Sequence, residues 1–412
     1  MISIAEFIAE ARAFLDSSAA PKPEEATFKW GEGLDHISMF EEFSKAPNSP
    51  EVLHAKRWAA QRFDAGFGWI EGPVELGGRG LTIDHTKAYG QLEAQYELPD
   101  MGVLSIAKDF IAPTILAHGT PTIRQTFLPA MYRGDLVACQ LFSEPNAGSD
   151  LAAAQTSAIR EGDDWIINGQ KVWTSNAQCA DVGLAVTRTD REAPKHRGIT
   201  TFLVDMHAPG VEVRPLRQMN GGAGFNEVFL TDVRVPDIHR LGEINQGFGV
   251  IITTLGNERT IQMRSGGVDR GPASFEHLLA VAEHYADRRD PLVRQQLATI
   301  YTNEKLTEYL VGRMAALLER GAAPGAEAMV LKLAASRQTH AVVAFLSDAL
   351  GPRLAADTGE WGAYAWSQYV LGAPGGRIGG GTDEIVRNRL GETALGLPRE
   401  PQPAKPMTAV AR

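Results

Sequence analysis

Cysteine is nearly missing from this chain: only Cys139 and Cys179 occur in 412 residues, and they form no CxxC pair. A disulfide framework or a cysteine-based zinc site is therefore not expected. No long run of one charge sign occurs either; 40 Lys and Arg stand against 50 Asp and Glu, a formal net charge of −10. Nucleic-acid binding needs a basic face and is not expected. No stretch reaches the roughly 18 unbroken apolar residues of a membrane span. The first residues, "MISIAEFIAEARAFLDSS", alternate apolar and charged types like an amphipathic helix. They lack the apolar run and small-residue cleavage site of a secretory leader. HExxH and nucleophile-elbow patterns are also missing, which ranks hydrolase chemistry low. His196 and His239 lie in polar loop contexts and read as surface residues. These absences point to a soluble cytoplasmic protein with no metal, nucleic-acid or membrane partner.

Helical and strand periodicities divide what is present. Residues 1–135 are mostly helical, with "PEVLHAKRWAAQRFDAGF" and "PTIRQTFLPAMYRGD" carrying apolar residues at intervals of three and four. Across 136–242 the period becomes two. "TSAIREGDDWIINGQKVWTS" reads as two strands around an EGDD turn, and "GITTFLVDM", "GVEVRPL" and "NEVFLTDVRVP" read as further strands. From 243 to 397 the helical period returns, and 398–412 is a Pro-rich tail expected to run extended over a surface. Helices, a β domain and a second helical domain make an α+β arrangement. Glycine is plentiful in one place: five fall within seven residues of "GGRIGGGTDEIVRN", 375–388. Such a run serves as a hinge or lets a ligand approach the backbone closely.

The middle of the chain carries an ordered set of motifs. Ser143-Glu144 is followed by Ala147-Gly148-Ser149-Asp150, then Asn168-Gly169-Gln170-Lys171-Val172-Trp173, with Ser175 two residues beyond. In these motifs the chain resembles the acyl-CoA dehydrogenase family, and the resemblance extends over nearly its whole length. It implies an N-terminal helical domain, a β-barrel-like central domain and a C-terminal bundle, with FAD held by Phe142, Ser143, Trp173 and Ser175 around the ring. Read as chemistry alone, an isoalloxazine needs an aromatic wall, hydrogen-bonding edges and small residues near phosphate. Trp173, the serines at 143 and 175, and Gly148-Ser149 supply these. A core tryptophan flanked by solvated serines is the plainer alternative for Trp173.

The implied reaction is α,β-dehydrogenation of an acyl-CoA thioester, which requires a carboxylate base. Many family members place a Glu where this chain has Gly380, within Gly379-Gly380-Gly381-Thr382. Others carry it on the first long helix of the C-terminal domain, before an Arg; Glu258 and Arg259 match that location. No residue three or four positions from Glu258 is basic, so no local ion pair explains it. An exposed helix Glu, or one paired with Arg264 or Arg270, is the plainer reading of Glu258; with Gly380 lacking a carboxylate and the family location matched, the base is preferred. The resemblance further implies that the Gly380 N–H polarises the thioester carbonyl and that Thr382 and Glu384 lie near the flavin. It places substrate contacts at Ser149, Leu255, Arg259 and Gly379.

Other positions depart from the family. "YADRRDPLVRQQ" lacks the Arg-x-x-Phe stretch that completes a neighbour's FAD site, leaving Arg288 and Arg289 as pyrophosphate contacts or surface charges. Gly256 stands where an Asp often touches CoA. With "IGGGTDEI", these departures resemble a group from actinobacterial fatty-acid and sterol-side-chain catabolism. The expected partners are an acyl-CoA, electron-transfer flavoprotein as acceptor, and other subunits in a homodimer, homotetramer or heterotetramer. Two rival readings are a partner subunit with little activity alone and a flavin oxidase or monooxygenase.

Overall fold

The computed structural model describes residues 2–23, 28–33, 35–39, 46–264, 273–320 and 327–399. Two compact units make up the chain: residues 1–34 with 40–262, and residues 35–39 with 263–412. The first unit opens with α1 (Ile4–Ser18), α2 (Pro50–Asp64) and α3 (Ile83–Glu93). Ser3 starts α1 with a capping box closed by Glu6, so the two side chains satisfy orphan N–H groups reciprocally. The apolar stripe of α1, Phe7, Ala11 and Leu15, packs among Trp58, Phe67 and Tyr89. Next come α4 (Gly102–Ser105), a π-helical segment (Ile106–Ile111), α5 (Ala112–His118) and α6 (Pro121–Arg133).

The strands begin at β1 (Ala138–Leu141), followed by β2 (Ser157–Glu161), β3 (Asp164–Ser175), β4 (Val182–Arg188) and β5 (Ile199–Asp205). β6 (Val211–Leu216), β7 (Phe225–Pro236) and β8 (Arg240–Leu241) complete an eight-stranded sheet. Its order is β6-β7-β3-β2-β4-β5-β8, with β1 parallel to β4 at the side. The expected EGDD hairpin is present: β2 and β3 pair antiparallel from Ser157–Asn168 to Glu161–Asp164, and Gly162 takes φ +65° in the turn. β4 carries no alternation, because all seven of its residues are buried. One core joins sheet residues Leu184, Val186 and Leu203 to Ile111, Ile115 and Phe127 of the helices and to Val250 and Ile251. The last two lie on α7 (Gly247–Arg264), the long helix that follows the strands.

The second unit is helical: α8 (Phe275–Tyr285), α9 (Pro291–Glu319), α10 (Glu327–Leu350), α11 (Ser367–Ile378) and α12 (Asp383–Ala394). Ile300, Met314, Phe345, Leu346 and Trp366 are among its buried apolar side chains. Gly375 and Gly376, the first two of the glycine run, belong to α11 even though Pro374 sits inside that helix. The non-helical part of the run is therefore only Gly379–Gly381, ahead of the cap Thr382. The tail from residue 400 lies outside the described residues. Among the described residues no helix is long and apolar enough to cross a membrane.

Candidate active site

A single extra residue in β3 shapes the first part of the site. Lys171 pairs with Val228 and Thr174 with Asn226, so three steps along β3 oppose two along β7, a β-bulge. The bulge turns Trp173 outward, 61% exposed, with its backbone at φ +60°. A bulky residue in that left-handed region is strained by about 1–3 kcal/mol and persists only where its surroundings over-determine it. The edge of its ring meets Phe225 at a centroid distance of 6.1 Å. The plainer alternative, a core tryptophan, is thus not what the structure contains.

What holds the bulge is a buried ion pair behind it. Lys171 is fully buried, and its ammonium donates to Glu144 Oε1 at 2.8 Å, Phe142 O at 3.2 Å and Val186 O at 2.6 Å. All three of its protons are placed. Glu144 in turn accepts from the backbone N–H groups of Gln155 at 2.7 Å and Thr156 at 2.9 Å. Burial pushes the Lys171 ammonium down, against the attraction of Glu144. Burial works the opposite way on Glu144, but Lys171 and the donors around it hold its carboxyl below the usual range. The network ties Phe142 and Glu144 to β3, and Val172 N donates to Ser143 O at 2.9 Å. Phe142 is buried, while Ser143 and Ser175 are half-buried. Gly148 and Ser149 are exposed, and a Cβ on Gly148 would meet nothing within 4 Å.

Four buried polar atoms lack partners at the same end of the sheet: Thr174 Oγ1, Asn226 Oδ1, Gln218 Nε2 and Asn220 Nδ2. Thr174 and Asn226 pair across β3 and β7, and Gln218 and Asn220 lie in the β6–β7 connection. Exposed aromatic surface beside unmet donors and acceptors suits a planar, polar-edged group. Nothing in the sequence flagged these four atoms.

Glu258 lies half-buried on α7, four residues after Thr254, which is fully buried. A polar seam docks this helix: Asn257 Nδ2 donates to Phe110 O at 3.3 Å and Thr114 Oγ1 at 3.1 Å, and Thr114 Oγ1 lies 3.1 Å from Thr254 Oγ1. Leu255 is half-buried against the core. The side chains of Arg259 and Arg264, and all of Arg270, lie outside the described residues.

In the second unit the glycine turn follows α11, with Gly380 at φ +67° and Gly381 at φ +94°. Gly379 is extended and donates its N–H to Gly375 O at 2.9 Å. The Thr382 hydroxyl caps α12 by accepting from Ile385 N at 3.2 Å. Behind the turn sits Asp383, a residue the sequence reading passed over. It is 2% exposed, accepting from Ser336 Oγ at 2.8 Å and Arg377 Nε at 3.2 Å. Arg377 and Asp383 flank the turn, so their bond clasps it shut. Glu384 is exposed and pairs with Arg377 and Arg387, each at 3.7 Å.

Arg288 and Arg289 pair with the surface residues Glu283 and Asp287. His196 is exposed as expected; His239 is half-buried, its ring edge on Phe127, a contact that a polar loop sequence does not announce. Among the described residues no group of His, Cys, Asp and Glu is arranged to hold a metal.

Comparison with known proteins bears on these features. The family model "Acyl-CoA dehydrogenase, middle domain" matches residues 139–233, and "Acyl-CoA dehydrogenase, C-terminal domain" matches 245–395. Acyl-CoA dehydrogenase FadE34 of Mycobacterium tuberculosis is 40% identical over 82% of this chain, which spans 45% of that longer relative. Acyl-CoA dehydrogenase IpdE1 of the same organism is 32% identical over 97% of this chain and 99% of its own. A solved structure described as the Tcur3481-Tcur3483 steroid ACAD superposes with a TM-score of 0.71 at 28% identity, covering 96% of this chain and 98% of that one.

Proposed function

Because this chain belongs to the acyl-CoA dehydrogenase family, an oxidoreductase family that implies a flavin cofactor, we propose that it α,β-dehydrogenates an acyl-CoA with FAD. The observation that carries the flavin assignment is Trp173, exposed and strained beside four orphaned polar atoms. Trp173 forms a wall for the ring, Phe142 and Ser143 a second side, and Ser175 an edge contact. Gly148 and Ser149 leave room for phosphate, with Ser149 also toward substrate, and Thr382 and Glu384 supply further polar contacts. A bound flavin would supply the acceptor for the β-hydride.

The protein's own task is the α-proton. Glu258 takes it, set on a helix whose polar seam with the π-helical segment fixes its rotation. Leu255 and Arg259 on the same helix contact the substrate. The Gly380 N–H, freed by a turn that needs positive φ, donates to the thioester carbonyl, with Gly379 beside it. Electron-transfer flavoprotein is the proposed acceptor, and the active assembly is a dimer or tetramer. The likeness to a solved structure described as a steroid ACAD favours a steroid-derived acyl group over a short straight one.

Glu258→Gln should retain bound flavin and lose flavin bleaching by acyl-CoA. Bleaching at the wild-type rate would refute the base assignment. A second reading, a subunit that mainly completes another chain's site, is favoured by Gly380 and by the two-component description of the steroid ACAD. A chain purified alone that is yellow and bleaches with substrate would exclude it.

A further inference from the structure

Within the first unit, α7 meets α5 and the π-helical segment along a polar line inside an otherwise apolar core. Phe110, Thr114 and His118, four residues apart, supply one side of the line, and Thr253, Thr254 and Asn257 the other. His118 Nε2 lies 2.8 Å from Thr253 Oγ1, and Thr114 Oγ1 lies 3.1 Å from Thr254 Oγ1. Asn257 closes the line with its amide nitrogen, which donates to Phe110 O at 3.3 Å and to Thr114 Oγ1 at 3.1 Å. Thr114 Oγ1 in turn donates to Phe110 O at 2.7 Å, so the three residues form a closed triangle. The triangle sits where the π-helical segment ends. There the Ala112 N–H reaches back five residues to Ala107 O, directly ahead of Pro113, which has no N–H to give.

Thr114 and Thr254 are fully buried, and Ile111, Ile115, Val250 and Ile251 belong to the same core. Hydroxyls and amides between packed helices carry a desolvation cost that valine or leucine in their places would not. What they supply is a fixed register, because a hydrogen bond demands one geometry where an apolar contact tolerates several. Register matters here because Glu258 directly follows Asn257, a step of about 100° round the helix. A side-chain tip lies about 5–6 Å from a helix axis, so a roll of about 15° would carry the carboxylate about 1.5 Å. Misplacement of a reacting group by about 1 Å costs on the order of a hundredfold in rate.

We propose that Asn257 is a positioning residue for the α-proton transfer: its amide, gripped by Phe110 and Thr114, sets the direction in which α7 presents Glu258. The inference rests on the reading of Glu258 as the base. Asn257 acts through that residue and needs no contact with substrate or flavin. Its removal strands no buried acceptor, since Thr114 Oγ1 still donates to Phe110 O. A merely structural amide and a positioning amide are therefore separable by experiment.

The test compares flavin-loaded wild type with Asn257→Leu, which keeps the side-chain volume and removes the donors. The variant should hold its thermal midpoint and flavin content, and half-maximal bleaching should need the same acyl-CoA concentration. Single-turnover bleaching should slow about a hundredfold. Deuterium at the substrate α-carbon should slow the variant more than wild type, since proton removal is the impaired step. Thr114→Val breaks the same triangle, so the double variant should be little slower than Asn257→Leu alone. Bleaching by Asn257→Leu at the wild-type rate, while Glu258→Gln is inactive, would overturn the positioning role and leave the base assignment standing. So would a parallel loss of midpoint, flavin and rate, the mark of a structural amide. Bleaching by Glu258→Gln at the wild-type rate overturns the base and the positioning role together. If wild type bleaches with no acyl-CoA, the dehydrogenase reading fails by itself and hydrogen exchange decides the grip on α7. Faster exchange of the amides at 254–258 in Asn257→Leu upholds it, and unchanged exchange overturns it. Should Asn257→Leu not fold, Thr114→Val gives the same decision.

Discussion

Two stretches of this protein adopt positive φ near proposed ligand contacts, and they do so by opposite means. At Trp173 and Asn176 the left-handed backbone carries full side chains, at φ +60° and +58°. At Gly380 and Gly381 it carries none. The first stretch must present an aromatic ring, so its strain is offset by surroundings that leave no alternative: the Lys171–Glu144 pair, its backbone partners and the register of β7. The second offers only backbone N–H groups. Glycine reaches that conformation without penalty, and a light clasp between Arg377 and Asp383 is enough. Where a side chain is the product, the fold must be stiff behind it; where the backbone is the product, composition does most of the work.

Breaking the support of the strained stretch should have the largest effect. Glu144→Ala leaves Lys171 buried without its counter-ion and is expected to cost about 3–5 kcal/mol, read as a lowered denaturant midpoint. Acid should act in the same direction. The Glu144 carboxyl lies below its ordinary value in the folded state, so its contribution is full above about pH 4.3 and is lost as pH falls through the folded value. An acid limb of the stability profile that ignores Glu144→Gln would contradict this. A smaller loss is expected at the glycine turn. A Cβ on Gly381 would find its nearest neighbour, Val386 Cγ2, at 3.9 Å, so Gly381→Ala meets no clash. Its cost is the left-handed backbone alone, about 1–2 kcal/mol. A loss as large as that of Glu144→Ala would mean that the turn, too, depends on its packing.

How far these stretches were legible in sequence follows from the range of the forces involved. The β2–β3 hairpin was readable because its turn chemistry and alternation are local. β4 was not singled out, since a strand buried on both faces shows no alternation. The glycine run read as a hinge or a close-approach stretch, yet Gly375 and Gly376 belong to α11, where Lys332 Nζ donates to Gly376 O and a Cβ on Gly376 would press on Met39. Motif spacing singled out Ser143, Trp173 and Glu258 as candidates. It did not reveal that Lys171 anchors the bulge from 27 residues beyond Glu144, or that Asp383 reaches Ser336 across 47 positions. Buried polar pairs of this kind leave no periodic trace.

The smallest stability change is expected where the side chain itself is removed. Trp173→Gly relieves a left-handed strain of about 1–3 kcal/mol. Against that, it loses an edge contact with Phe225 worth about 0.5–1.5 kcal/mol and adds about 0.5–1 kcal/mol of glycine backbone entropy. These nearly cancel, so the denaturant midpoint should shift by less than about 1 kcal/mol even though the largest exposed aromatic of the sheet is gone. Flavin retention through gel filtration should nevertheless fall, because the wall for the ring is missing while the Lys171 network behind it is intact. Glu144→Ala should lower both readouts together, since it removes the support along with the wall. If Trp173→Gly instead destabilised the fold by several kcal/mol with flavin fully retained, the ring would be structural, and the strain at this position would belong to folding and not to the cofactor.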